Sequence, residues 1–126
     1  HHMSHFLEMD FLRRGERIPL HGVKVGLGTM VSLYLYKTLS RRPFFPGCEA
    51  VYAEAEMLPA PVYVENILSQ FGCPTRFSQL GVARETVKKM FSEAYKIRDR
   101  FTVLTLYCTN GWMTEELLNE LLERFY

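Results

Sequence analysis

The chain has 126 residues, of which 48% are hydrophobic and 13% aromatic, a composition typical of one folded domain with a substantial core. Its formal net charge is +1 with acids and bases interleaved, so it lacks the basic face of a nucleic-acid-binding protein. The longest apolar run, Val25 to Tyr36, is too short to span a membrane, and we see no secretory signal. We therefore expect one cytoplasmic domain over residues 1–126, without a nucleic-acid partner or a transmembrane segment.

The cysteines Cys48, Cys73 and Cys108 are odd in number, widely spaced and form no CxxC pair. This pattern favours buried thiols in a reducing compartment over a disulfide framework, and it does not indicate a cysteine-based zinc site.

The hydrophobic period predicts an all-α fold of six or seven helices and no sheet. The first helix is predicted over Met3–Arg14, ending at Gly15. Pro19 then keeps the approach to His21 extended. The second helix is predicted from His21 to Ser40, and because it is apolar around most of its circumference we expect it to be central.

Three glycines, Gly22, Gly26 and Gly28, occupy the first two turns of this second helix. Each costs about 1 kcal/mol of helix propensity relative to alanine. Close packing of another helix is the favoured explanation, and the approach of a ligand near His21 is the alternative.

The remaining elements follow a break at residues 41–47. The run 101–108 is rich in β-branched residues and could form a strand in isolation, but a lone strand would have no partner, so we predict a helix. Thr114 is predicted to cap the last helix. The other predicted helices are Cys48–Met57, Val62–Phe71 and Arg84–Arg98, with a compact loop at Cys73–Val82.

All four histidines lie in the first 21 residues. His1 and His5 are four residues apart, so a helix would project both from one face, and His21 opens the next helix. This arrangement is a plausible cage for a metal that prefers imidazole, such as zinc, nickel or iron. Two alternatives remain open. His5 could pack in a core while His1 and His2 lie in solvent, or the His-His before Met3 could be the remnant of an affinity tag.

Motifs for nucleotide binding or nucleophilic catalysis are missing from the sequence. The glycines after His21 have the wrong spacing and context for a dinucleotide-binding turn, and there is neither a P-loop nor a marked nucleophile. The chain therefore offers metal ligands without a place for a dinucleotide, which amounts to half an active site.

Four motifs carry a resemblance to a known family: H-H-M-S-H-F-L-E-M, L-H-G-V-K-V-G-L-G-T, G-C-P-T-R-F-S-Q-L-G-V and I-R-D-R-F-T-V-L-T-L. Together they resemble the C-terminal domain of the iron-containing alcohol dehydrogenase superfamily, in particular its glycerol-1-phosphate dehydrogenase branch. The related 3-dehydroquinate synthases share only the paired-histidine and His-Gly patterns.

The resemblance implies a longer parent enzyme with an N-terminal NAD(P)-binding domain and a helical C-terminal domain carrying a divalent metal. It assigns His1 and His21 as metal ligands, joined by a carboxylate from the N-terminal side, and places His5 near the substrate as the catalytic residue. His2 matches neither role. Val23 departs from the acidic or amide residue common after His-Gly, which removes a hydrogen bond that could orient a ligand.

The substrate implied is a small phosphorylated polyol, with Arg76, Arg98 or Arg100 available for its phosphate; the alternative for Arg98 and Arg100 is surface ion pairing. The leading hypothesis is thus the metal-binding and substrate-side domain of an NAD(P)-dependent dehydrogenase, inactive without its nucleotide-binding domain. The alternatives are a stand-alone non-catalytic helical module and the equivalent domain of a 3-dehydroquinate synthase-like enzyme. Loss of the partner domain would expose an apolar face near His5 and His21, through which the chain could form a homo-oligomer.

Overall fold

The structure, a computed structural model, describes residues 1–43 and 49–126. Across these ranges the chain is helical and contains no strand, which confirms the predicted all-α fold. The α-helices are α1 (His2–Arg14), α2 (His21–Lys37), α3 (Glu49–Met57), α4 (Pro61–Gln70), α5 (Arg84–Glu93), α6 (Val103–Thr109) and α7 (Glu115–Phe125). Short 3₁₀ helices cover Leu39–Arg41, Phe77–Leu80 and Ala94–Ile97.

Helix α1 ends as the sequence predicts. Gly15 adopts a left-handed conformation with φ of 68°, and its N–H donates to the carbonyl of Leu12 at 3.1 Å. Only glycine takes this conformation without strain, so it is a natural terminator here. Not every charged residue of α1 is exposed. Asp10 is buried and forms ion pairs with Arg13 and Arg14.

Helix α2 is the central helix, in contact with α1, α3, α4, α6 and α7. Its fully buried side chains include Leu27, Met30 and Leu35. The helix ends at Lys37 and not at Ser40, since a 3₁₀ turn follows. Thr38 marks the change by donating its hydroxyl to the carbonyl of Tyr34 at 3.1 Å.

Packing accounts for one of the three glycines of α2, Gly26. A Cβ built on Gly26 would lie 3.0 Å from Cδ2 of Leu68 on α4, and one on Gly28 would lie 3.6 Å from Cβ of Met3 on α1. A Cβ on Gly22 would meet nothing within 4 Å. Close helix contact therefore explains Gly26, whereas the distance at Gly28 is an ordinary van der Waals contact and Gly22 leaves open space beside His21.

The C-terminal part of the chain covers the other side of α2. The run 101–108, for which a helix is predicted because a lone strand would have no partner, forms helix α6. The Thr102 hydroxyl caps this helix by accepting from the N–H of Thr105 at 3.4 Å. The predicted cap of α7 is also present, since the Thr114 hydroxyl accepts from the N–H of Leu117 at 3.3 Å. Helix α5 stops at Glu93, so the predicted helix to Arg98 is too long.

Two of the three cysteines, Cys73 and Cys108, are free thiols of intermediate exposure. Burial raises the pKa of the Cys108 thiol to about 11, so it is inert at neutral pH. Cys48 and the second half of the predicted break lie outside the described residues. Within residues 1–43 and 49–126, none of the helices is both long and apolar enough to cross a membrane.

Candidate metal and substrate site

The first residues of α1 and α2 meet at one end of the molecule and bring three histidines together. The imidazole centroids of His1 and His21 are 5.3 Å apart, and those of His1 and His5 are 6.1 Å apart. His21 is the more exposed, at 55% of its side chain, whereas His5 is 20% exposed. The spacing that suggested a cage in the sequence therefore corresponds to a spatial cluster.

His1 and His21 fit the role of two ligands to one metal ion. With Zn–N bonds of about 2 Å and tetrahedral angles, two imidazole centroids would lie roughly 5 Å apart. Among residues 1–43 and 49–126, no group of three His, Cys, Asp or Glu side chains is arranged to hold a metal ion. A complete set of metal ligands is therefore not found among the described residues.

Glu8, on the next turn of α1 after His5, contacts both helices of the site. Its Oε2 accepts from Nδ1 of His5 at 3.1 Å, and its Oε1 accepts from Nδ1 of His21 at 3.4 Å. The same Oε1 accepts from the ammonium group of Lys24 at 2.8 Å. The sequence motifs assigned no role to Glu8. The structure instead makes it the common partner of two histidines and a lysine.

Lys24 is the buried charge of the site, with 1% of its side chain exposed. A buried lysine is stable only with a partner, and Glu8 supplies it. The hydrogen bond from Lys24 is the main reason that the pKa of Glu8 falls from 4.5 to about 2, and His5 and His21 lower it further against the opposing effect of burial. The carboxylate is therefore ionised throughout the physiological range.

His2 takes no part in the cluster of three imidazoles. It is 6% exposed, and neither ring nitrogen has a hydrogen-bond partner in the structure. Burial lowers the pKa of His2 from its ordinary value of 6.5, which favours the neutral imidazole at physiological pH. The alternative that placed His2 in solvent is therefore wrong.

A pocket of about 460 Å³ opens beside His1 and His5. Two exposed arginines, Arg98 and Arg100, line it, and neither forms an ion pair with a described residue. The remaining lining residues are His2, Phe101 and Thr102.

The third arginine considered for a phosphate, Arg76, lies elsewhere in the fold. Its guanidinium pairs with Glu65 of α4 at 2.7 Å, and it does not line the pocket. Of the three arginines, only Arg98 and Arg100 therefore line the pocket, a distinction that the sequence could not make.

Comparison with known proteins identifies relatives over nearly the whole chain. The chain is 32% identical to the glycerol-1-phosphate dehydrogenase [NAD(P)+] of Halalkalibacterium halodurans over 87% of its own length and 31% of that protein. It is 31% identical to the Bacillus subtilis enzyme of the same name, over 95% of the chain and 32% of the relative. A third protein of the same name, from Caldivirga maquilingensis, is 29% identical over 98% of the chain and 28% of the relative. No family model matches the chain, and no solved structure matches it.

The chain is therefore similar, over 87–98% of its length, to proteins named glycerol-1-phosphate dehydrogenase [NAD(P)+]. In particular, the chain corresponds to a domain-sized part of a glycerol-1-phosphate dehydrogenase-like protein. It spans about 30% of the length of the curated relatives that it matches.

Proposed function

We propose that this chain is the metal-binding and substrate-side domain of an NAD(P)-dependent dehydrogenase acting on glycerol 1-phosphate or a similar phosphorylated polyol. The observation that carries the proposal is the convergence of His1, His5 and His21 in a sequence that aligns along nearly its whole length with glycerol-1-phosphate dehydrogenases. The relatives' names refer to proteins about three times as long, so the activity belongs to a chain that also supplies a nucleotide site.

His1 and His21 would hold a divalent metal, for which zinc, nickel and iron are suited by their affinity for imidazole nitrogen. When bound, such a metal supplies Lewis acidity that polarises a substrate hydroxyl. His5, at the edge of the pocket, would bind that hydroxyl or exchange its proton, because a neutral imidazole both donates and accepts.

Arg98 and Arg100 would bind the substrate phosphate. Both line the pocket that His1 and His5 share, and guanidinium groups recognise phosphate oxygens through paired hydrogen bonds. Arg76 is less suited, since its charge is already neutralised by Glu65.

A chimera tests the proposal directly. The matching third of the Bacillus subtilis relative is replaced by this chain, and NAD(P)-dependent oxidation of glycerol 1-phosphate is measured. We expect activity in the chimera and a loss on the order of 100-fold on His21→Ala, because the metal would lose one of its nitrogen ligands. Lys89→Ala, at an exposed position on α5, is the matched control and should leave the rate unchanged.

The isolated chain provides the second arm of this test. We expect it neither to bind NAD(H) nor to oxidise glycerol phosphates, and to bind zinc only weakly, with calorimetric titration showing a further loss on His21→Ala. Micromolar NAD(H) binding, or tight zinc binding that survives His21→Ala, would contradict the proposed division of roles.

A further inference from the structure

Glu8 uses its two carboxylate oxygens for different partners. Oε2 contacts only Nδ1 of His5, while Oε1 contacts both Nδ1 of His21 and Nζ of Lys24. An ionised carboxylate can accept hydrogen bonds but cannot donate them. Each histidine that contacts it must therefore carry its proton on Nδ1.

We propose that Glu8 is a positioning residue that fixes both His5 and His21 as their Nδ1–H tautomers and so leaves Nε2 of each ring as a free electron-pair donor. A metal ion or a substrate hydroxyl would use the Nε2 atom. Free histidine prefers the opposite tautomer, in which Nε2 carries the proton and cannot bind a metal. One carboxylate thus prepares two imidazoles at once, a role that carboxylates commonly play behind metal-binding histidines.

Lys24 holds the carboxylate in place for this role. Its ammonium group is buried, can only donate, and reaches Oε1 at 2.8 Å from the opposite helix. Because Lys24 and His21 both belong to the first two turns of α2, Glu8 links the start of α2 to α1. The tautomer assignment follows from the geometry of this chain alone, whereas its catalytic meaning rests on the proposed function.

The assignment is tested by long-range ¹H–¹⁵N NMR of the ¹⁵N-histidine-labelled chain at pH 8. Signals are assigned with His5→Gln and His21→Gln. We expect both His5 and His21 to show a protonated Nδ1 and an unprotonated Nε2. An Nε2–H tautomer in either residue overturns the proposal, and this measurement needs no variant of Glu8.

Glu8→Gln gives a sharper result, because an amide has one accepting oxygen and one donating NH₂ group. Lys24 can only donate, so the amide oxygen must occupy the Oε1 position and the NH₂ group must face His5. We therefore expect His5 to switch to the Nε2–H tautomer while His21 keeps its proton on Nδ1. Glu16→Gln, an exposed glutamate paired with Arg14, is the matched control and should change neither residue. An unchanged His5 in a folded Glu8→Gln protein would overturn the proposal.

Zinc titration separates this inference from the proposed function. If Glu8 positions His21, Glu8→Ala should weaken zinc binding by roughly 10-fold or more relative to Glu16→Ala, because no acceptor then faces Nδ1 of His21, whereas Glu8→Gln keeps that acceptor and should bind zinc nearly as the wild type does. Nδ1–H tautomers in a chimera without dehydrogenase activity would refute the function and leave the positioning role. An active chimera whose histidines carry Nε2–H would refute the positioning role alone.

Discussion

Lys24 and Glu8 form the most consequential pair at the scale of single residues. The side chain of Lys24 is 1% exposed and that of Glu8 is 28% exposed. The buried ammonium group of Lys24 therefore depends on this carboxylate to compensate its positive charge. Removing one member of a buried pair costs more than the pair itself contributes, because the other charge is left without a partner.

We expect Glu8→Ala to lower the free energy of unfolding by about 3 kcal/mol, since it strands the buried ammonium group of Lys24. Adding Lys24→Met should recover most of that loss by removing the stranded charge while keeping an apolar stem of similar size. Urea denaturation measures both. Glu16→Ala is the surface control, with a change within about 0.5 kcal/mol. Equal losses in the single and double variants would show that the pair is not the cause.

The same pair predicts how stability depends on pH. The pKa of Glu8 is lowered from 4.5 to about 2, so its ionised form favours the folded state. That contribution is present above pH 4.5 and is lost as the pH falls towards 2. The stability difference between the wild type and Glu8→Gln, from urea melts, should therefore shrink as the pH falls from 4.5 towards 2. A difference that stays level down to pH 2.5 would contradict the lowered pKa.

The residues of the site were only partly predictable from sequence. The spacing of His1 and His5 and the position of His21 gave the cluster of imidazoles. Glu8 and Lys24 were missed because their pairing spans 16 residues and joins two helices. A signal did exist: Glu8 lies three residues after His5, and Lys24 three after His21, so each shares a helix face with a histidine.

At the scale of helices, the period of the sequence predicted where helices lie better than where they end. The predicted second helix overran Lys37, and the predicted Arg84–Arg98 helix overran Glu93. In both places a 3₁₀ helix follows soon after the α-helix. Apolar residues spaced three apart fit an α-helix and a 3₁₀ helix equally well, so the hydrophobic period does not show where one changes to the other. Context correctly decided the element at residues 101–108, where β-branched composition alone would have favoured a strand.

The glycines of α2 give a matched pair of substitutions. Gly26→Val should lower the free energy of unfolding by about 1–3 kcal/mol, because its Cβ would press on Leu68 at 3.0 Å. Gly22→Val places the same side chain in open space and should be neutral or stabilising, since valine has the higher helix propensity. Thermal or urea unfolding compares them. A Gly26→Val protein as stable as Gly22→Val would show that α2 and α4 separate easily.

At the scale of the whole molecule, several large apolar side chains are exposed. Leu20, beside His21, is 75% exposed, and Phe101, in the pocket wall, is 76% exposed. On the α3–α4 side, Met57 and Phe71 are exposed by 82% and 79%. Leu20 and Phe101 thus lie near the site, whereas Met57 and Phe71 lie away from it, and an apolar interaction face near the site stays a prediction.

We expect the chain to self-associate through the face near the site, since burying exposed apolar surface is favourable. Sedimentation velocity over a range of concentrations measures this. Leu20→Ser with Phe101→Ser should shift the chain to monomer, whereas Met57→Ser with Phe71→Ser, matched in exposure, should leave association unchanged. The reverse pattern would place the contact on α3 and α4, and a wild type that stays monomeric throughout would remove the expectation altogether.

The contact between Gly26 and Leu68 also constrains how this sequence can drift. Any side chain at position 26 would require Leu68 to shift, so we expect most substitutions there to lower stability. A shorter side chain at position 68 would open the space and permit alanine or serine at position 26. The two positions, 42 residues apart in the chain, are therefore expected to change together or not at all, and a substitution harmless in one relative becomes damaging in another.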